Sequence, residues 1–201
     1  MAVRLATDED RDALAAVLAR AFADDPVVRW VYGPPAPDHR RPRQERREQR
    51  FFNWVLRRLT PQDVTWTTSG REGAALWALP GQWRESPREA LTLTALTAPA
   101  VGLRAPRVLR GLGQVESRHP ATHHLYLAVL GVDPVRQGAG LGSELLRPGL
   151  ELCDRDGIPA YLETAKERNI AFYARHGFRV TGEMTLPKGP PIWFMWRDPA
   201  G

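Results

Sequence analysis

Three glycines, Gly138, Gly140 and Gly142, follow Arg136-Gln137 at the point where an apolar run gives way to a helical pattern. Glycines at that spacing let backbone N–H groups approach an anion without Cβ atoms in the way, at the positive end of a helix dipole. A diphosphate suits such a concavity. Asn169 and Tyr173, placed i and i+4, share one face of a later helix that stops at Gly177-Phe178. Asp24 and Asp25 end the first helical pattern beside Trp30 and Tyr32, a grouping of acids and aromatic rings that could hold a cationic amine or simply cap and pack. Cys153 is the one cysteine; its apolar helical surroundings mark it as a packed small hydrophobe.

These residues are positioned by a short series of elements. Leu125 to Val132 carries no charge and reads as a strand covered on both faces, stopped by Asp133-Pro134. Leu141, Leu145, Gly149, Leu150 and Cys153 line one helix face, with Pro148 expected to kink that helix. Ala160 to Thr164 is the next strand, and strand-helix-strand at this length gives a right-handed parallel βαβ unit. Upstream, Val3 to Ala6 alternates like a strand, and Thr7 with Asp10 begins a helix that runs to about Ala23. Val27 to Tyr32 is a short apolar segment. Arg40 to Leu59 is a charged helix with Phe51, Phe52, Val55, Leu56 and Leu59 buried. Asp63–Thr68 and Ala74–Leu79 form a hairpin with Trp66 and Trp77 in the core. Ser86 to Glu116 makes two helices divided between Pro99 and Pro106.

The glycine loop by itself admits more than one phosphate ligand. A P-loop would end in Gly-Lys-Ser/Thr, and Gly142-Ser143-Glu144 lacks the lysine. A dinucleotide-binding turn stays open at this point. Its third glycine comes one position early, with Ser143 in its place, while Glu163 stands about twenty residues on, where such folds put a ribose-binding acid.

Composition sets the wider limits. The 201 residues, 43% hydrophobic and 25% charged, describe one ordinary domain spanning 1–201, with no repeat or low-complexity linker. A single cysteine excludes an internal disulfide framework, and neither a signal-like leader nor a membrane-length apolar run is present, so a cytoplasmic protein is expected. The net charge of +5 is arginine-rich, concentrated between Arg40 and Arg58 and between Arg104 and Arg118. Without an accompanying nucleic-acid-binding motif these are read as solvated helix faces, and neither nucleic acid nor membrane is expected as a partner.

Gln137-x-x-Gly140-x-Gly142, followed after the second βαβ strand by Asn169-x-x-x-Tyr173-x-x-x-Gly177-Phe178, resembles the GNAT superfamily of N-acetyltransferases. The likeness is strongest to its puromycin N-acetyltransferase branch. There it runs through LGVDP, QGAGLGS, LRPGLE, GIPAYLET, RNIAFYARHGF and LPKGPPIWFMWR, and it is poor between Pro34 and Thr122. It implies an α+β fold layered as α/β, with a mixed, mostly antiparallel sheet, a central parallel strand pair and flanking helices. It also implies acetyl-CoA as co-substrate, no metal, and a small-molecule amine as acceptor, an aminonucleoside-like antibiotic among the candidates. Backbone groups of Leu130 and Val132 would hold the pantetheine, and the amides of Gln137, Gly138, Ala139, Gly140, Leu141 and Gly142 the pyrophosphate. Asn169 would contact the cofactor, and Tyr173, a phenol of pKa ~10, would protonate the leaving thiolate. Many members carry a glutamate on the strand before the loop, but the matching place near Tyr126 has no carboxylate. Glu163, Glu116 and His119 are therefore the candidates for taking the amine proton, directly or through water. A CoA-binding regulatory protein of the same fold is the alternative, with a dinucleotide-dependent oxidoreductase behind it. Oligomeric state is not legible.

Overall fold

A computed structural model describes residues 2–34, 37 and 39–200. Seven strands, β1 (Val3–Leu5), β2 (Thr65–Thr68), β3 (Gly73–Ala78), β4 (Leu125–Val132), β5 (Ala160–Thr164), β6 (Arg179–Thr185) and β7 (Pro191–Arg197), form one sheet in the order β1-β2-β3-β4-β5-β7-β6. All neighbours are antiparallel except β4 and β5. This is the mixed α/β architecture expected, with the parallel pair at its centre.

Helix α6 (Leu141–Asp156) makes the crossover between β4 and β5 and packs, with α7 (Arg168–Ala174), over one face of the sheet. It runs on through Pro148. The next residue, Gly149, is buried against Trp77, and a Cβ built on it would stand 2.4 Å from the indole. On the other face lie α1 (Arg11–Ala21) and α3 (Arg41–Leu59), joined through Leu14, Leu18, Phe52, Leu56 and Leu59 to Ala74, Leu76 and Val129. Helix α2 (Pro26–Tyr32) and helix α5 (Ala105–Glu116), reached from α4 (Pro87–Val101), close the end of that face over Tyr161, Leu186 and Phe194. Cys153, on the inner side of α6, is fully buried, and burial pushes its thiol up to about 12. No helix among the described residues is long and apolar enough to cross a membrane.

Two local outcomes differ from the sequence reading. Residues 8–10 form a 3-10 turn before α1, held by the reciprocal Thr7–Asp10 capping box. Val27 to Tyr32 is helical, because Asp25 caps it and Pro26 sits at its first position, where a missing N–H has no consequence.

The decisive irregularity is in β4. Leu76 pairs with Val129 and Trp77 with Leu127, so Ala128 is an extra residue, a β-bulge. It changes the parity of the strand: Leu125, Leu127, Leu130 and Val132 pack toward α6, while Tyr126, Ala128 and Val129 pack toward α1. Gly131 then faces α1 so closely that an added Cβ would stand 2.6 Å from Leu18 Cδ2.

Gly149→Ala tests the packing under α6. Alanine gains about 1 kcal/mol of helix propensity over glycine, but overpacking a filled site costs about 1–3 kcal/mol. With an approach of 2.4 Å the loss should exceed the gain, lowering Tm by several degrees in thermal denaturation. An unchanged or higher Tm would contradict the contact.

Candidate functional site

Strands β4 and β5 pair only from Leu125–Leu127 to Ala160–Leu162. Past that point β4 stays with β3 and β5 stays with β7, so the two parallel strands fork. A cleft of about 400 Å³ opens beyond the fork. One wall is Leu130 to Val132, the far wall is α7 with Asn169, Phe172 and Tyr173, and Ala21, Phe22 and Asp25 from the end of α1 line it as well.

The glycine loop forms the rim. Asp133 accepts from the Val135 amide and pairs with Arg20, which fixes the turn leaving β4. The Gln137 side chain donates to the Val132 carbonyl at 3.0 Å and draws the loop back against the strand. Gly138 and Gly140 both have φ +81, a region costly for other residues, and a Cβ built on either meets nothing within 4 Å among the described residues. Gly140 is also the N-cap of α6, and its carbonyl accepts from Ser143 and Glu144. The amides of the first turn therefore point outward from a helix start with no side-chain cap among the described residues. Arg136, Lys166, Arg168 and Arg175 line the same cleft, so its electrostatic character is cationic. The loop fits a diphosphate in three respects: open space where side chains are missing, first-turn amides, and surrounding positive charge.

Helix α7 brings Tyr173 to the cleft. Its ring packs against Phe172 and Phe178 with centroids 5.1 and 5.8 Å away. Burial, reinforced by the charge of Asp25, raises the phenol above its ordinary pKa, so it stays protonated. Asn169, one turn earlier, donates to Thr164 Oγ1 at 3.3 Å and ties α7 to the end of β5. Ser143 and His176, 2.9 Å apart, join the start of α6 to the end of α7.

At the apex of the fork lies a second set of groups. The Tyr126 hydroxyl donates to Glu163 Oε2 at 2.6 Å, and His119 Nδ1 stands 3.5 Å from Glu163 Oε1. His119 Nε2 and His124 Nε2 are 2.9 Å apart, and Trp83 stacks on the His119 ring at 3.5 Å. Glu163 and His119, which the sequence offered separately, are thus brought together. Glu116 is not among them: it is exposed and pairs with Arg84 at 3.7 Å. Trp83, His124 and Tyr161 join the cluster with no local sequence signal, since they come from loops and strands that meet only in the fold. Glu163, the acid a dinucleotide turn would place on a ribose, is instead turned into this cluster.

Asp24, Asp25, Trp30 and Tyr32 are dispersed by the structure. Asp24 pairs with Lys166 and, at 2.9 Å, with Arg168. Asp25 accepts from the Val27 and Val28 amides at 2.9 and 3.2 Å, capping α2, and also lines the cleft; burial raises its carboxyl. Trp30 is buried, its indole donating to the Pro187 carbonyl. Tyr32 lies against Phe51 and lines a different cavity with Arg40, Arg43 and Arg47. Among the described residues no cluster of three or more His, Cys, Asp or Glu could hold a metal.

Against known proteins, the model of the acetyltransferase (GNAT) family matches residues 77–178. An uncharacterized N-acetyltransferase of Schizosaccharomyces pombe is 24% identical over 213 residues, covering 99% of this chain and 84% of that protein. A solved structure from Corynebacterium glutamicum, described as histone acetyltransferase HPA2 and related acetyltransferase, matches with TM-score 0.69 at 26% identity over 99% and 96% of the two chains. Arylalkylamine N-acetyltransferase 2 of Aedes aegypti matches with TM-score 0.64 at 15% identity over 98% of each chain. At that identity it shares the fold alone.

The two roles open to Asp25 separate experimentally. Asp25→Ala should lower stability by about 1 kcal/mol, the usual cost of a lost cap, whereas Asp25→Asn keeps an accepting oxygen and should leave Tm nearly unchanged. Equal losses for both would show that the charge, and not the cap, matters to stability.

Proposed function

The chain belongs to the acetyltransferase (GNAT) family and is an N-acetyltransferase, and from that premise we propose that residues 1–201 act as one domain moving the acetyl group of acetyl-CoA directly onto a small-molecule amine. What carries this reading is the convergence of three elements on one cleft: the open glycine loop at the start of α6, the exposed edge of β4 beyond the fork, and the Tyr173 phenol. The amides from Gln137 to Gly142, with Arg136, Lys166, Arg168 and Arg175 around them, would hold the pyrophosphate and remaining phosphate charge. Leu130 and Val132 would offer backbone groups to the pantetheine, and Asn169 would contact the cofactor while fixing the turn that carries Tyr173.

Acetyl-CoA supplies a thioester carbonyl open to attack by a neutral amine. The chain's tasks are then orientation, supplying a proton to the departing sulfur, and receiving one from the nitrogen. Tyr173 is the donor to sulfur: burial holds the phenol protonated, so its proton is in place for the departing thiolate. For receiving the amine proton, directly or through water, Glu163 and His119 remain the candidates, since Glu116 faces Arg84. For the acceptor, the likeness to the puromycin N-acetyltransferase branch makes aminonucleoside amines the first class to try. The structurally similar arylalkylamine and polyamine N-acetyltransferases add aromatic and aliphatic amines to the panel. The test is acetyl-CoA-dependent release of free thiol over that panel, puromycin included. No release with any amine would leave the CoA-binding, non-catalytic reading.

Gly140→Asp should leave the protein folded but weaken acetyl-CoA about a hundredfold or more in calorimetry, since it sets a carboxylate and a strained Cβ against the diphosphate, and opposed like charges cost several kcal/mol. Undiminished affinity would remove the loop from the site.

Tyr173→Phe deletes only the hydroxyl, so kcat should drop by ~10²–10⁴ with acetyl-CoA affinity retained. Parental turnover would require another acid.

A further inference from the structure

The groups at the apex of the fork form hydrogen bonds whose direction is set from one end, Thr122–His124–His119 on one side and Tyr126–Glu163 on the other, joined by a wider 3.5 Å contact between His119 and Glu163. The Thr122 carbonyl can only accept, so His124 Nδ1, 2.5 Å away, carries the hydrogen between them. Burial lowers the pKa of His124, so its ring is neutral and its Nε2 presents a lone pair. His119 Nε2 must then be the donor across the 2.9 Å contact. That leaves His119 Nδ1 facing Glu163 Oε1, while Glu163 Oε2 is occupied by the Tyr126 hydroxyl. Every hydrogen in this set is assigned except one, at the edge between His119 Nδ1 and Glu163 Oε1. With none there, a lone pair opposes a carboxylate. With one, the edge is satisfied as an acid on imidazole or as imidazolium on carboxylate.

We propose, on the reading of the protein as an acetyl-CoA-dependent N-acetyltransferase, that this Glu163–His119 edge receives the proton lost by the acceptor amine. Glu163 is the group that meets the amine, directly or through one water. His119 and His124 act through it as positioning residues, fixing its orientation and sharing the proton across the His119 Nδ1–Glu163 Oε1 contact.

Placement supports the assignment from two sides. Glu163 is the first residue of β5 past its last pair with β4, at the apex of the fork. The Tyr161 hydroxyl, on a residue 1% exposed, lies beside Glu163, and burial, then the charge and hydrogen bonding of Glu163, raise the pKa of the phenol. The cluster is sheltered by Trp83 stacked on His119 and by Trp196 against His124 and Tyr161, so the His119 side chain is only 3% exposed. The other titratable groups acting on the cluster are Glu85, on Tyr126, and His123, on His124. In the transfer the amine nitrogen bonds the acetyl carbon, and the carbon–sulfur bond breaks with its electron pair going to sulfur. The Tyr173 proton passes to sulfur and the amine proton to the Glu163–His119 edge. Solvent then removes that proton and returns one to Tyr173, so both groups end the cycle as they began.

The experiment is a pH profile of kcat/KM for the native enzyme and for His119→Gln, with Tm measured alongside. The native profile should fall on its acid side where the shared edge becomes protonated. In His119→Gln, which leaves a lone carboxyl, that limb should move down by at least about one pH unit and kcat should fall roughly 10–100-fold with the acetyl-CoA KM unchanged. Nitrogen-15 spectra of the free native protein above the limb should show His124 protonated on Nδ1 and His119 on Nε2. A folded His119→Gln with an unmoved acid limb, or the opposite tautomers, would overturn this assignment while leaving acetyl transfer in place. Absence of turnover with every amine would overturn the enzymatic reading and this assignment with it.

Discussion

The architecture turns on one extra residue. Ala128 has no partner in β3, and its insertion does two things that a regular strand cannot. It exchanges the faces presented by the second half of β4, and it coincides with the end of the parallel pairing, so that β5 follows β7 while β4 follows β3. A sheet that kept its ladder intact would bury its backbone groups in hydrogen bonds all along both strands. Here part of that bonding is given up, and the strand edge freed is a wall of the cleft. The stability lost is offset on both faces, by α6 with Trp77, Leu145 and Leu146, and by α1 seated against Gly131.

Around that fork the charges are segregated by burial. The rim near the glycine loop carries four cationic side chains, and Asp24 supplies a counter-charge to two of them. The apex is aromatic and largely dry, and its one carboxyl is bonded by a hydroxyl and faced by an imidazole. Exposed ion pairs such as that of Arg168 with Asp24 contribute little to stability. The apex groups lie in the opposite regime, where burial leaves little solvent to screen a hydrogen bond.

How much of this was legible depended on whether the signal was local. Strands β4 and β5 came out with the bounds read from the sequence, because an uncharged run closed by Asp-Pro and a strand entered through Gly-Ile-Pro carry their own punctuation. That Asn169 and Tyr173 share one helix face was legible from their spacing, and both line the cleft. The bulge at Ala128 was not, since Leu, Ala and Val fit either face of a buried strand. The grouping of Asp24, Asp25, Trp30 and Tyr32 rested on nearness in sequence, and the fold sends Trp30 to a carbonyl 157 positions away and Tyr32 to another cavity. Trp83 and His124 gave no signal because their partners arrive from separate elements.

The placement of Cys153 has a practical consequence. It is the chain's one sulfhydryl, fully enclosed by α6 and the sheet, with its ionisation displaced to about 12. Disulfide-forming dyes react with thiolates, so the folded protein is silent toward them at neutral pH. Any coloured product that accumulates in a reaction mixture then comes from thiols other than the protein's own, and denaturant uncovers one further equivalent as an internal standard for protein concentration.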